Sequence, residues 1–96
     1  MNIDIKELNR LLRKGPLHLI DVRSHSKYSR GTINSARNIE VSELLYNYSK
    51  YLDKGEVYYL FCDSGLSSLR LTNILNSMGY TVYNISGGYQ AYLLEK

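Results

Sequence analysis

A chain of 96 residues, 44% of them hydrophobic, predicts one folded domain over residues 1–96 and excludes a disordered polypeptide. The net charge of +3 is spread among acidic residues, which favours a solvated mixed surface over a nucleic-acid-binding stripe. The charged N-terminal stretch argues against a signal peptide, and no apolar run approaches the ~18 residues of a membrane span. A single cysteine cannot form an intrachain disulfide, so we expect a cytoplasmic protein.

The first half of the chain alternates helical and extended patterns. Residues 5–13 place their leucines on one helical face, and residues 17–22 (LHLIDV) are typical of a strand. Residues 24–31 predict a short helix with Ser24 at its start, and residues 36–39 a short extended segment.

The second half continues this alternation. The predicted elements are, in chain order, a helix from Val41 to Leu52, a strand over 57–62, a helix carrying Leu71 and Met78, a strand over 81–85, and a helix from about Gly88. Ser42 and Ser86 are the expected N-caps. Strands that alternate with helices predict right-handed crossovers, and therefore an α/β fold with a parallel sheet covered on both faces.

Cys62 ends the most apolar predicted strand, which we expect to be central in the sheet. Ligand sites of parallel sheets lie beyond the carboxyl ends of the strands, and a helix start supplies unpaired N–H groups that stabilise a thiolate. Gly65 is the residue best able to bend the loop around the sulfur. The alternative is a buried, inert cysteine, which is common among free cysteines.

Other chemistry has weaker support. The serines of the loop do not form the G-x-S-x-G motif of a serine hydrolase, and His18 and His25 are expected at the surface. The sequence has no metal-ligand spacing and no phosphate-binding or dinucleotide-binding glycine motif, so no metal or cofactor is predicted.

Three segments together resemble the rhodanese family in order and spacing. LIDVRSHSKYSRGTINSARNI (19–39) resembles the D-x-R, Y-x-x-G-H-I pattern, YLFCDSGLSS resembles an apolar strand followed by C-x-x-G-x-R-S, and GYTVYNISGGYQAY (79–92) resembles the ending G-G-x-x-A-W. The resemblance implies a rhodanese-like fold, with a five-stranded parallel sheet and helices on both faces.

The resemblance also implies sulfurtransfer through a cysteine persulfide on Cys62. The sulfur would be cradled by the backbone of six loop residues, Asp63, Ser64, Gly65, Leu66, Ser67 and Ser68. The implied partners are a small sulfur donor, either thiosulfate or a thiol persulfide, and a thiol or protein acceptor. We expect a monomer.

The loop departs from the family pattern in ways that bear on the donor. Ser67 stands where the family often has an arginine that would bind an oxyanionic donor, and Arg70 lies one helical turn further on as a possible substitute. Asp63 places a negative charge beside the thiolate. Arg23 is expected either near the site or, the reading we favour, holding Asp21 in place.

These departures leave two functional hypotheses from different classes. The leading one is a sulfurtransferase that works poorly with thiosulfate, and the alternative is a non-catalytic rhodanese-like module that binds or regulates a partner. A lowered Cys62 pKa favours the enzyme, and an ordinary one favours the module. Redox sensing by Cys62 is a third possibility. The related cysteine phosphatases need a loop one residue longer, with an arginine that binds the phosphate. That position is Ser68 here, so phosphatase chemistry lacks its anion-binding residue.

Overall fold

The structure is a computed structural model that describes residues 1–95. These residues form five strands and six helices, which are in chain order β1 (Asn2–Ile3), α1 (Ile5–Lys14), β2 (His18–Asp21), α2 (His25–Ser29), β3 (Arg37–Asn38), α3 (Val41–Tyr46), α4 (Tyr48–Tyr51), β4 (Val57–Phe61), α5 (Leu66–Ser77), β5 (Thr81–Ile85) and α6 (Gly88–Glu95).

All strand pairs are parallel, in the order β1-β5-β4-β2-β3. The predicted α/β fold is therefore confirmed, and β4 is the central strand as expected. In the register, Leu60 of β4 lies beside Ile20 of β2 and Asn84 of β5. Cys62 follows β4 directly, so it lies at the carboxyl end of the sheet.

Helices cover both faces of the sheet. Consecutive residues of β4 point to opposite faces, so its apolar side chains need packing partners on each side. Leu60 belongs to one buried cluster, which includes side chains of α3 and α5. Phe61 belongs to a second cluster on the other face, which includes Ile5 and Leu8 of α1. Among residues 1–95, no helix combines the length and the apolar character needed to cross a membrane.

The helix predicted from Val41 to Leu52 is wrong in detail, since the segment forms α3 and α4 with a break at Asn47 (φ −131°, ψ 34°). Ser42 is not the N-cap; Glu40 takes that position, and its side chain makes no capping hydrogen bond. Ser24 is confirmed as a cap, because its side chain accepts from the N–H of Lys27. Strand β1 was not predicted.

The last helix begins against the loop that follows β4. The N–H groups of Tyr89 and Gln90 donate to the carbonyls of Cys62 (2.8 Å) and Asp63 (3.0 Å). Gly88 makes this approach possible: its φ is +57°, and a Cβ there would lie 2.8 Å from the Asp63 carbonyl oxygen and closer still to that of Cys62. The first turn of α6 thus finds its acceptors in the Cys62 loop.

We predict that Gly88→Ala destabilises the fold by at least ~2 kcal/mol, because it adds strain at positive φ to a clash with two backbone carbonyls. Urea unfolding measures the change. Gly55→Ala is the matched control, since a Cβ there meets only an Asp53 oxygen at 3.4 Å. Equal effects of the two substitutions would contradict the proposed packing.

Candidate active site

The loop between β4 and α5 curls around the Cys62 sulfur. Gly65 is the N-cap of α5 in the left-handed conformation (φ 96°), and a Cβ there would lie 3.0 Å from the Gly87 nitrogen. This bend directs the Gly65 N–H at Cys62 Sγ (3.2 Å). Ser68 adds two donors, its N–H at 3.4 Å and its hydroxyl at 3.2 Å. Two N–H groups, and a hydroxyl whose proton can also go to Asn84, therefore lie within hydrogen-bond distance of one sulfur atom.

The contact with α6 explains why further N–H groups of the loop face away from α6. A trans peptide points its carbonyl and the following N–H in opposite directions. Because the carbonyls of Cys62 and Asp63 point at α6, the N–H groups of Asp63 and Ser64 point to the opposite side. The N–H groups of Leu66 and Ser67 open α5 and have no intrahelical acceptor.

The environment of Cys62 sets the protonation of its thiol. The residue is buried, 5% exposed, and burial raises the pKa. The opposing effects of the Ser67 and Ser68 hydroxyls and of the Ser68 and Gly65 N–H groups outweigh burial, so the pKa lies below that of an ordinary cysteine. The hydrogen bonds to Sγ come from Gly65 and Ser68, whereas Ser67 makes no well-formed hydrogen bond to it.

A cavity of about 390 Å³ lies over Cys62. Its walls include most of the site residues predicted from the sequence and the helix cap Ser24. Two further lining residues, Val22 and Lys27, were not predicted. The full lining is Val22, Arg23, Ser24, Lys27, Cys62, Asp63, Ser64, Leu66 and Ser67. Gly65 and Ser68 lie buried beneath it. Arg70 is exposed on α5 and does not line the cavity.

The charge of Asp63 is paired at the cavity rim. Lys27 Nζ donates to Asp63 Oδ2 at 2.6 Å, and Arg23 Nη1 lies 3.5 Å from Asp63 Oδ1. The hydrogen bond from Lys27 is the largest of the effects that lower the pKa of the Asp63 carboxyl, with Arg23 adding to it. Lys27 was missed because nothing local marks it; only the fold brings α2 to the Cys62 loop.

Arg23 is anchored mainly beneath the rim. Its guanidinium makes hydrogen bonds to both carboxylate oxygens of Asp21 and to the Gly31 carbonyl, and it lies over the Tyr89 ring at 4.2 Å. The side chains of Arg23 and Asp21 are 5% and 0% exposed. Thr32, where the family pattern has histidine, donates to the same Asp21 carboxylate at 2.8 Å. Arg23 thus ties the strand end to the loop while one nitrogen faces the cavity.

A second buried polar group lies behind the sulfur. The Ser68 hydroxyl is 2.5 Å from Asn84 Oδ1, and the Asn84 amide nitrogen donates to the Gly65 carbonyl at 3.2 Å. The sequence analysis did not single out Asn84. A polar residue inside a strand predicted to be covered on both faces was the available signal.

Comparison with known proteins shows the family of this chain. The rhodanese-like domain family matches residues 4–95. Human thiosulfate:glutathione sulfurtransferase is 35% identical over 95% of this chain and 91% of its own length. Thiosulfate sulfurtransferase PspE of Escherichia coli (strain K12) is 30% identical over 82% of this chain and 77% of its own. The solved structure of human single-domain sulfurtransferase TSTD1 superposes with a TM-score of 0.84 at 30% identity, covering 99% of this chain and 96% of that one.

The chain therefore belongs to the rhodanese-like domain family, as the resemblance in its sequence predicted. Its relatives named as sulfurtransferases support a transferase of the rhodanese type that uses a sulfur donor and a sulfur acceptor.

We predict that the alkylation rate of Cys62 by iodoacetamide has its pH midpoint below that of the same thiol in urea-unfolded protein, because the folded pKa is lowered. At any pH below the unfolded pKa, the thiolate fraction of the folded protein is therefore larger than that of the unfolded protein, and it is lost as pH falls through the folded pKa. By linkage, the lowered pKa stabilises the folded state at pH values above the unfolded pKa, and this stabilisation is lost as pH falls from the unfolded pKa through the folded pKa. Coincident midpoints for the folded and unfolded protein would contradict the assigned donors.

Proposed function

We propose that this protein is a sulfurtransferase that carries sulfane sulfur as a persulfide on Cys62. The observation that carries the proposal is a cavity lined by Cys62, whose sulfur has two N–H groups and the Ser68 hydroxyl within hydrogen-bond distance. Such donors stabilise a thiolate, which is the nucleophilic form. An inert core cysteine would need neither the donors nor the cavity.

The proposed reaction has two half-reactions that conserve charge. Cys62 thiolate attacks the outer sulfur of the donor, so the Sγ–S bond forms, the donor's bond to that sulfur breaks, and its electron pair leaves on the donor's thiolate or, for thiosulfate, on sulfite. An acceptor thiolate then attacks the outer sulfur, and the Sγ–S bond breaks with its electron pair returning to Sγ. No redox partner is required.

The loop N–H groups suit the outer sulfur of the persulfide. The N–H groups of Asp63 and Ser64 point away from α6, and those at the start of α5 have no intrahelical acceptor. A helix N-terminus of this kind favours negative charge through its dipole as well as its free donors. Preorganised donors of this type lower the cost of moving an anion between two sulfurs.

The charges around the cavity favour a donor of low negative charge. Lys27 and Arg23 are balanced by Asp63 and by the buried Asp21, so the rim offers no excess of positive charge. Ser67 supplies no charge where an arginine would bind a dianion. We therefore propose a thiol persulfide as the preferred donor and thiosulfate as a poor one.

A thiol is the proposed acceptor, and two relatives bear on both substrates. One relative is named for thiosulfate and glutathione and the other for thiosulfate. A low-molecular-weight thiol such as glutathione is therefore a suitable first acceptor to test. A reducing compartment such as the cytoplasm, where thiols stay free, matches this chemistry.

We predict that incubation with glutathione persulfide adds one sulfur atom to the protein and that thiosulfate adds much less, because the site does not compensate a dianion. Intact mass spectrometry measures the gain, and excess glutathione should remove it. Cys62→Ser is the control and should gain nothing.

Two other outcomes of this experiment are informative. No gain from either donor, in folded protein with a free thiol, would reject the sulfurtransferase and favour the rhodanese-like binding module. Equal gains from both donors would keep the carrier role of Cys62 and reject the donor preference.

We further predict that Ser67→Arg raises kcat/KM for thiosulfate by roughly 10-fold to 100-fold, the effect of one charge-assisted hydrogen bond to the anion. The activity with glutathione persulfide should change less. Ser42→Arg adds the same charge at an exposed position outside this cavity and controls for net charge. A gain of the same size in both variants would show that long-range attraction, rather than the loop position, limits thiosulfate use.

A further inference from the structure

The Ser68 hydroxyl has one proton and two acceptors within reach. Cys62 Sγ lies 3.2 Å from its oxygen and Asn84 Oδ1 lies 2.5 Å away. Ser68 is 0% exposed and Asn84 is 2% exposed, so bulk water does not compete for either group. The hydroxyl can donate to only one of the two acceptors at a time.

The orientation of the Asn84 amide is fixed by its neighbours. Its nitrogen lies 3.2 Å from the carbonyl oxygen of Gly65, which can only accept, and 2.9 Å from Asn2 Oδ1 on strand β1. The amide oxygen must therefore face Ser68. Because that oxygen also accepts only, the short contact between Ser68 and Asn84 requires the proton of the serine.

The two states of Cys62 in the proposed reaction place different demands on this proton. In the thiolate, Sγ is charged and is the stronger acceptor. In the persulfide, Sγ is a neutral bridging sulfur and the charge is on the outer sulfur, so Sγ is a weak acceptor. A buried hydroxyl without a partner is costly, and Asn84 provides the partner in that second state.

We propose that Asn84 is a positioning residue that acts on Cys62 through Ser68. Its amide oxygen holds the Ser68 proton while Cys62 carries sulfur, and the proton turns to Sγ when Cys62 becomes a thiolate. The thiolate part of this proposal stands on geometry alone, and the persulfide part rests on the proposed function. The hydroxyl only rotates, so no proton leaves Ser68 and the balance of each half-reaction is unchanged.

The charged side chains around Cys62 do not reach this pair. The charged side chains near the sulfur are Asp63, Lys27, Arg23 and, beneath them, Asp21; they bond among themselves and not to Ser68 or Asn84. Substitutions at Asn84 and Ser68 therefore leave the charged rim intact, and the Gly65 turn is a second route from Asn84 to the sulfur that the test must separate from the first.

The test measures the pH profile of iodoacetamide alkylation at Cys62, which requires no sulfur transfer. Ser68→Ala should raise the Cys62 pKa and slow alkylation below the midpoint by roughly 10-fold, because a donor to the thiolate is lost. Asn84→Ala should lower the pKa and speed alkylation there by roughly 2-fold to 10-fold, because the competing acceptor is lost. In a Ser68→Ala background, Asn84→Ala should change nothing.

The matched control is Asn76→Ala. Asn76 also bridges α5 to β5, through its amide bonds to the backbone of Val82 (3.0 and 3.1 Å), but it has no contact with the site. It should lower stability and leave the alkylation profile unchanged. A raised pKa in Asn84→Ala, or a shift that persists without the Ser68 hydroxyl, would show that Asn84 only supports the Gly65 turn and would overturn the proposal.

A measurement on the unmodified protein decides the matter even if Asn84→Ala does not fold. The side-chain ¹³Cγ shift of Asn84, followed by NMR, should titrate with the midpoint of Cys62 and should return to its low-pH value in the persulfide form. Asn76 ¹³Cγ should not follow that midpoint. A flat Asn84 signal overturns the proposal. A titrating signal with no persulfide formed would reject the proposed function while leaving Asn84 coupled to the thiolate.

Discussion

The rest of the site depends on the first turn of α6, which holds the Cys62 loop by its carbonyl groups. Tyr89 and Gln90 donate to the carbonyls of Cys62 and Asp63, and Gly88 has no Cβ to block them. Planar trans peptides then force the next N–H groups to the other side. Gly65 completes the turn and directs its own N–H at the sulfur. The donors are thus fixed by packing before a substrate arrives, which spares the reaction the cost of orienting them.

The elements that could be predicted from the sequence are those with a local signal. The apolar run ending at Cys62 indicates a buried strand by its length and its aromatic residues, and the spacing of the apolar residues in α5 indicates a helix. Strand β1 has only two residues, so it has no period, and it exists because β5 offers it an edge. The break at Asn47 was hidden because α3 and α4 keep apolar residues at helical spacing across it.

The candidate site likewise has one part with a local sequence signal and one part without it. The cradle from Cys62 to Ser68 is contiguous, and its glycine and helix start could be read in order along the chain. Lys27 and Asn84 reach it from positions 36 and 16 residues away, on α2 and β5. Their contacts depend on strand order, which periodicity does not specify. For Asn84 the sequence does hold one signal, because a polar side chain in a strand that is covered on both faces needs a hydrogen-bond partner.

The site separates charged groups from uncharged ones, and this separation suits sulfur transfer. The groups that touch Sγ are N–H and O–H dipoles, whereas Lys27, Asp63 and Arg23 pair with one another at the rim. During transfer the negative charge moves by one bond, from one sulfur to the next. A cation fixed beside either sulfur would favour one state of the cycle over the other. Dipoles that can be satisfied in both states, as the Ser68 hydroxyl can, leave the two states closer in free energy. In the proposed reaction, a loop that has Ser67 in place of an arginine would give up strong binding of an anionic donor and keep this balance at the sulfur.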